Sequence, residues 1–196
     1  MAITKLNNKV VANVTTLPVA LGDMVLVSSA TASSSASIEF SLGNYKEYVF
    51  YFVNMHPSVD AANFEFQVSI DSGSTYSTTV TSTFFSARHN EADTAADITY
   101  KTGNDQAQGT AFQNLSQAVG ADNDQNLCGT LQLFNPNSTT FVKHFIYTGS
   151  RNQHTDYEFN DFVAGYFNDT NDLTNIKFQM SSGNIDAGKI LMFGIN

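Results

Sequence analysis

The chain has 196 residues, with 9 Lys plus Arg against 18 Asp plus Glu, giving a net charge of −9 at pH 7. Only 14% of residues are charged, about half the usual quarter, and 19 Ser, 20 Thr and 20 Asn fill the gap. That profile argues against a mostly helical protein, which would carry more Glu, Lys, Ala and Leu. It also argues against a disordered chain, since 42% of residues are hydrophobic and 12% aromatic, and against a basic nucleic-acid binder, since net negative charge repels phosphate.

A chain of this length is expected to form one domain, able to bury roughly 70% of its unfolded surface without covalent staples. The single cysteine, Cys128, forms no intrachain disulfide, and its strand-like setting predicts a buried, inert thiol. Residues 1–22 contain Lys5 and Lys9 but no continuous apolar run, so they match neither a signal peptide nor a membrane anchor. Weak alternation around Val10, Val11 and Val14 suggests instead an extended arm, with residues 1–24 as the arm and 25–196 as the folded domain.

Beyond the arm the dominant period is two. Ile38 and Phe40 alternate with Ser37, Glu39 and Ser41, and Phe64, Phe66, Val68 and Ile70 alternate with Glu65, Gln67 and Ser69. Leu127, Gly129, Leu131 and Leu133 alternate with Cys128, Thr130 and Gln132, and Ile176, Phe178 and Met180 alternate with Lys177 and Gln179. Each run predicts a strand with one face on a core. Residues 48–53 and 190–193 are more continuously apolar, which predicts strands covered on both faces or lying at a subunit interface. A further strand is expected at 159–167.

Gly43-Asn44, residues 71–74, residues 135–138 and Ser182-Gly183-Asn184 separate these runs with residues that accept positive φ or form Asx turns. Residues 89–121 are rich in Asn, Asp, Gln, Ala and Gly. A short strand at 98–101 and a short helix within 105–115 are the candidates there, and a stretch this long suggests a functional or partner-contacting excursion. Strand, turn and strand at this spacing predict an all-β fold, an antiparallel sandwich or barrel.

Chemistry-bearing patterns are sparse. His56, His89, His144 and His154 are dispersed, with no partner at metal-ligand spacing. Nucleophile-elbow, P-loop and dinucleotide-binding motifs do not occur. Glu158 and Asp161 are close in sequence, but three residues apart on a strand they point to opposite faces. Asp122-Asn123-Asp124 and residues 168–172, with Asp169 and Asp172, space oxygen ligands as Ca²⁺ accepts them, yet neither has the Gly and bidentate Glu of an EF-hand loop. Solvated loops are the expected reading of both, so no catalytic, cofactor-binding or metal-binding residue is assigned. The nine basic residues form no cluster that would bind nucleic acid. Tyr76, Tyr157 and Tyr166, in or near loops, are candidates to stack on a sugar, which keeps a carbohydrate-binding adhesin as an alternative.

Several pieces carry a family likeness: Ser33-Ser34-Ser35-Ala36-Ser37-Ile38-Glu39-Phe40, residues 48–54 with Pro57, residues 66–75, residues 129–139, and residues 176–195 with Ser181-Ser182-Gly183-Asn184-Ile185 at their centre. In this order, from about residue 28 onward, the sequence resembles the β-sandwich virion proteins of tailed bacteriophages, a module also found in tail fibres. The resemblance implies a jelly-roll-like sandwich without catalytic residues, carried on the particle exterior as a capsid decoration or a tail or fibre component. It also implies a virion protein assembled in the host cytoplasm, whose partners are other virion proteins, with no nucleic acid, membrane or cofactor. Such components sit on symmetric sites, so a homo-oligomer, preferably a trimer, is expected, with residues 1–22 and 89–121 contacting neighbours. The chain lacks the shaft, heptads or collagen-like repeat of a tail fibre, which favours a small stand-alone virion part over a receptor-binding tip.

Overall fold

The computed structural model describes residues 24–196; the expected arm, apart from Met24, lies outside the described residues. These residues form twelve strands and no helix: β1 (Val25–Thr31), β2 (Ile38–Ser41), β3 (Glu47–Pro57), β4 (Ala62–Ser69), β5 (Val80–Asn90), β6 (Ala96–Tyr100), β7 (Gln113–Val119), β8 (Leu127–Phe134), β9 (Lys143–Gln153), β10 (Tyr157–Phe167), β11 (Asn175–Met180) and β12 (Ile185–Ile195). Every pairing is antiparallel.

Pairing runs β1-β12-β3-β8-β9-β10-β5-β6 along a wide wall and β7-β4-β11-β2 along a narrow one. One bridge, Val119 to Gln153, joins β7 to β9 at one side. At the other, Ser35 just ahead of β2 exchanges backbone bonds of 2.8 Å with Ile185 of β12. The antiparallel sheet is thereby nearly closed into a barrel, which leaves few open edges.

The core lies between the walls, and period-two alternation delivers it. Ile176, Phe178 and Met180 point inward from β11, Phe64, Phe66 and Val68 from β4, and Phe50 and Phe52 from β3. Five ring centroids (Phe40, Phe50, Phe52, Phe64 and Phe66) lie 5.1–6.4 Å from that of Phe178. Aromatic packing at these separations adds to the area each ring removes from water.

Tyr147 of β9 packs over two glycines. A Cβ on Gly149 would strike its hydroxyl and ring, and a Cβ on Gly129, paired with Gly149, would sit 2.9 Å from the same ring. The tyrosine hydroxyl lies 2.9 Å from Ser116 Oγ on β7, tying wide wall to narrow. Burial holds this phenol well above its ordinary range.

The turns behave as their chemistry predicts. Ser72 and Gly73 adopt φ of 60° and 83° after β4, and Asn135 adopts 46° after β8. At Gly183, φ is 66° and a Cβ would lie 2.5 Å from Ser58 Oγ, so both backbone and space call for glycine.

Two expectations are corrected. No helix forms within 105–115; residues 101–112 are an irregular segment laid along β5, with Ser82 N donating to Gln106 O at 2.9 Å and Val80 N to Gly109 O at 2.7 Å. Side-chain bonds from Ser82 Oγ to Gln113 Oε1 (2.6 Å) and from Gln113 Nε2 to Asn104 O (2.9 Å) fix it further. The carbonyls of Gln106 and Gly109 satisfy β5 N–H groups that a helix would leave unpaired. Nor do the described residues cover both faces of β3, since Tyr51 and Val53 on its outer face are exposed, which leaves the subunit-interface reading of this strand.

Candidate functional site

The register of the wide wall aligns its outward side chains in rows. One row runs Leu26, Phe193, Val49, Gln132, Ile146, Ala164, Thr83 across seven strands. The next runs Ser29, Leu191, Tyr51, Thr130, Thr148, Phe162, Phe85, Tyr100 across all eight. Neither row holds a charged side chain. Leu26 is 52% exposed and Ile98, beside Tyr100 on β6, is 75% exposed; Tyr51, Val53, Phe85 and Ile146 are also open to solvent.

The outer aromatics are packed against each other. Phe85 and Phe162 stack with centroids 4.8 Å apart and planes 9° from parallel, and Tyr51 meets Phe193 edge-on at 5.6 Å. Glu47, Lys189 and Glu158 lie toward the margins. A broad apolar face with a charged rim is the surface pattern of a protein–protein contact.

Beneath this face the wide wall buries an ion pair. Arg151 Nε donates to Asp161 Oδ2 at 2.7 Å, with both side chains at most 1% exposed. Ser86 Oγ donates to Asp161 Oδ1 at 2.7 Å, and the guanidinium sits 4.0 Å over the Phe159 ring. Arg151 Nη1 is buried without a partner. The pair is enclosed, so it can brace β9 against β10 but cannot reach a substrate. Sequence reasoning missed Arg151, although it shares strand parity with Phe145 and Tyr147 and therefore points inward. Glu158 and Asp161 do face opposite ways: Glu158 is exposed and accepts from Ser150 Oγ at 2.6 Å.

The other candidates are not brought together. His56 lies 3.5 Å from Asp186, His89 lies 3.1 Å from Asp93, and His144 neighbours Tyr166. Asp122 and Asp124 line a polar cleft of about 300 Å³ with Glu91, Asp156 and Glu158, yet no three His, Cys, Asp or Glu among the described residues converge to hold a metal ion. The 168–172 loop does hold a cation, the buried ammonium of Lys143. Its Nζ donates to Asp169 O at 3.0 Å and Asn171 O at 2.6 Å. Burial lowers the Lys143 pKa, while Asp169 and Asp172 oppose that shift.

The candidate sugar-stacking tyrosines are engaged within the protein. Tyr76 donates to Glu39 Oε2 at 2.9 Å beneath the Lys177 ammonium, Arg88 lies 5.2 Å over the Tyr157 ring, and Tyr166 is half-buried beside His144. Cys128 is half-buried on the outer side of β8, 3.2 Å from Asn54 N, rather than fully buried. One exposed aromatic was missed: Phe141, 69% exposed on the β8–β9 turn. By parity it reads as the first residue of the run that continues through Lys143, Phe145 and Tyr147, but the strand begins only at Lys143. Comparison with protein-family models, curated proteins and solved structures gives no match.

Proposed function

We propose that this chain is a structural protein on the exterior of a tailed-bacteriophage particle, a capsid decoration or a tail or fibre component, working through subunit contacts rather than catalysis. In this reading the wide and narrow walls are the two layers of a jelly-roll-like β-sandwich, and residues 1–24 are an arm toward a neighbour. The protein is a homo-oligomer, with a trimer preferred, assembled in the host cytoplasm and retained in the virion without nucleic-acid or membrane contacts.

The observation that supports it is the pair of uncharged rows across the outer side of the wide wall. In a chain of net charge −9, removing every charge from the middle of one face leaves a surface that copies of the chain or other acidic proteins can approach without opposed carboxylates.

Mass spectrometry of purified particles tests the location: the protein is expected among virion components, and its absence from them ends the proposal. Ile146→Glu and Tyr51→Glu place a carboxylate in each row. Both variants are expected to keep the far-ultraviolet spectrum of the wild type and to lose incorporation into particles. Normal incorporation of both would remove the face from the account.

A further inference from the structure

We infer that the open pocket between the β8–β9 turn and the segment leading into β3 is a binding site for a neutral saccharide, with Phe141 as the stacking ring. The inference deepens the carbohydrate-binding alternative and does not depend on the particle reading. The pocket has a volume of about 490 Å³, within the range of small-molecule sites. Tyr45 and Phe141 contribute rings, Asn44, Asn135 and Asn137 contribute amides, and hydroxyls and Lys46 complete the lining.

Two properties select the ligand class. First, among the described residues no carboxylate lines the pocket, although acidic residues outnumber basic ones two to one in the chain. Amides and hydroxyls both donate and accept, which matches a ligand bearing many hydroxyl groups; the lack of a carboxylate disfavours a cationic one, and Lys46 adds a donor. Second, an exposed ring beside polar groups suits a ligand with an apolar C–H face and a polar edge; a purely apolar partner would leave the amides unpaired.

The backbone that carries the ring is held in place before any ligand arrives. Asn135 N donates to Lys46 O at 2.6 Å, Ser138 N to Asn135 O at 3.0 Å, and Leu173 N to Pro136 O at 3.0 Å. Ser138 Oγ then accepts from Thr140 N at 3.2 Å and Phe141 N at 2.9 Å. Such bracing lowers the ordering cost of binding, which matters most for weak ligands.

The test is a titration of the isotope-labelled full chain, followed by amide resonances, with four probes: galactose, maltotriose, mannotriose and chitotriose. At least one probe is expected to shift resonances within 44–46 and 135–141 and to leave those of the wide wall unmoved. Phe141→Ala should weaken that probe about ten-fold or more without disturbing the remaining spectrum, and Phe141→Tyr should retain binding. Absence of shifts with all four probes, or shifts indifferent to Phe141→Ala, overturns the assignment. Neither result bears on particle incorporation, so the two readings fail separately.

Discussion

Strands β2, β4 and β11 of the narrow wall treat polarity in the opposite way to β9, β10 and β5 of the wide wall. On the narrow wall Ile38, Phe40, Phe64, Phe66, Val68, Ile176 and Phe178 point inward, while Glu39, Glu65, Lys177 and Gln179 point outward. Lys177 Nζ pairs with Glu39 Oε1 at 2.7 Å, and the neutral amide of Gln179 donates to Glu65 Oε1 at 2.7 Å. On the wide wall, around β9, β10 and β5, the arrangement is partly inverted. Arg151, Asp161, Ser82 and Ser86 are buried, while Phe85, Ile146 and Ile98 face out. Burying an ion pair and exposing large apolar groups both work against the stability of an isolated chain. Their coincidence in one wall marks it as the side shaped by something other than the chain's own folding, and the proposed subunit contact supplies that reason.

The largest expected effect separates the two ion pairs. Asp161→Ala leaves the Arg151 guanidinium buried with no anion, and should cost about 3–5 kcal/mol in urea unfolding. Lys177→Ala breaks a partly exposed pair on the narrow wall and should cost less than about 1 kcal/mol. Equal costs would erase the contrast between the walls.

A smaller effect tests the outward apolar rows. Ile146→Ser removes a side chain that is about half exposed, so stability of the isolated chain should fall by only about 1 kcal/mol. Self-association measured by sedimentation should weaken in the same variant. A large loss of stability with unchanged association would make the row part of the fold alone.

The smallest effect concerns the turn that follows β4 on the narrow wall. Asp71 accepts from Ser69 Oγ at 2.6 Å, from Thr75 N at 2.9 Å and from Thr75 Oγ1 at 2.8 Å, and these bonds bring its pKa from 3.8 down to about 2. Because the folded value is the lower one, the carboxylate's contribution is complete above the ordinary value and is lost as pH falls through about 2. Carbon-detected titration of Asp71 should find that midpoint, and Ser69→Ala should raise it. An ordinary midpoint in the wild type would show that these bonds do not form in solution.

How far the sequence reveals this molecule follows the same division. On the narrow wall β2, β4 and β11 were readable because their inward positions are apolar and appear as clean alternation. The strand β5 was not, because Ser82 and Ser86 take inward positions while Phe85 faces out, which blurs the period. The 89–121 stretch concealed β7 for a related reason. Gln113 and Ser116 are buried polar residues satisfied by distant partners, and a local pattern does not show those partners. The candidate sites divide likewise. The parity argument separated Glu158 from Asp161, but only the fold shows Lys143 filling the 168–172 loop, a contact made across 26 and 28 residues of chain.

Tyr147 and its two glycines constrain more than packing. A side chain gained at Gly149 or Gly129 meets the tyrosine ring, whereas shrinking Tyr147 first opens a void and strands the Ser116 hydroxyl. Each single step is costly and the combination less so, which is the signature of strong coupling between sites. Over evolutionary time the three positions are therefore expected to change together or not at all. A diverged descendant of this chain with a larger residue at 149 should carry a smaller one at 147.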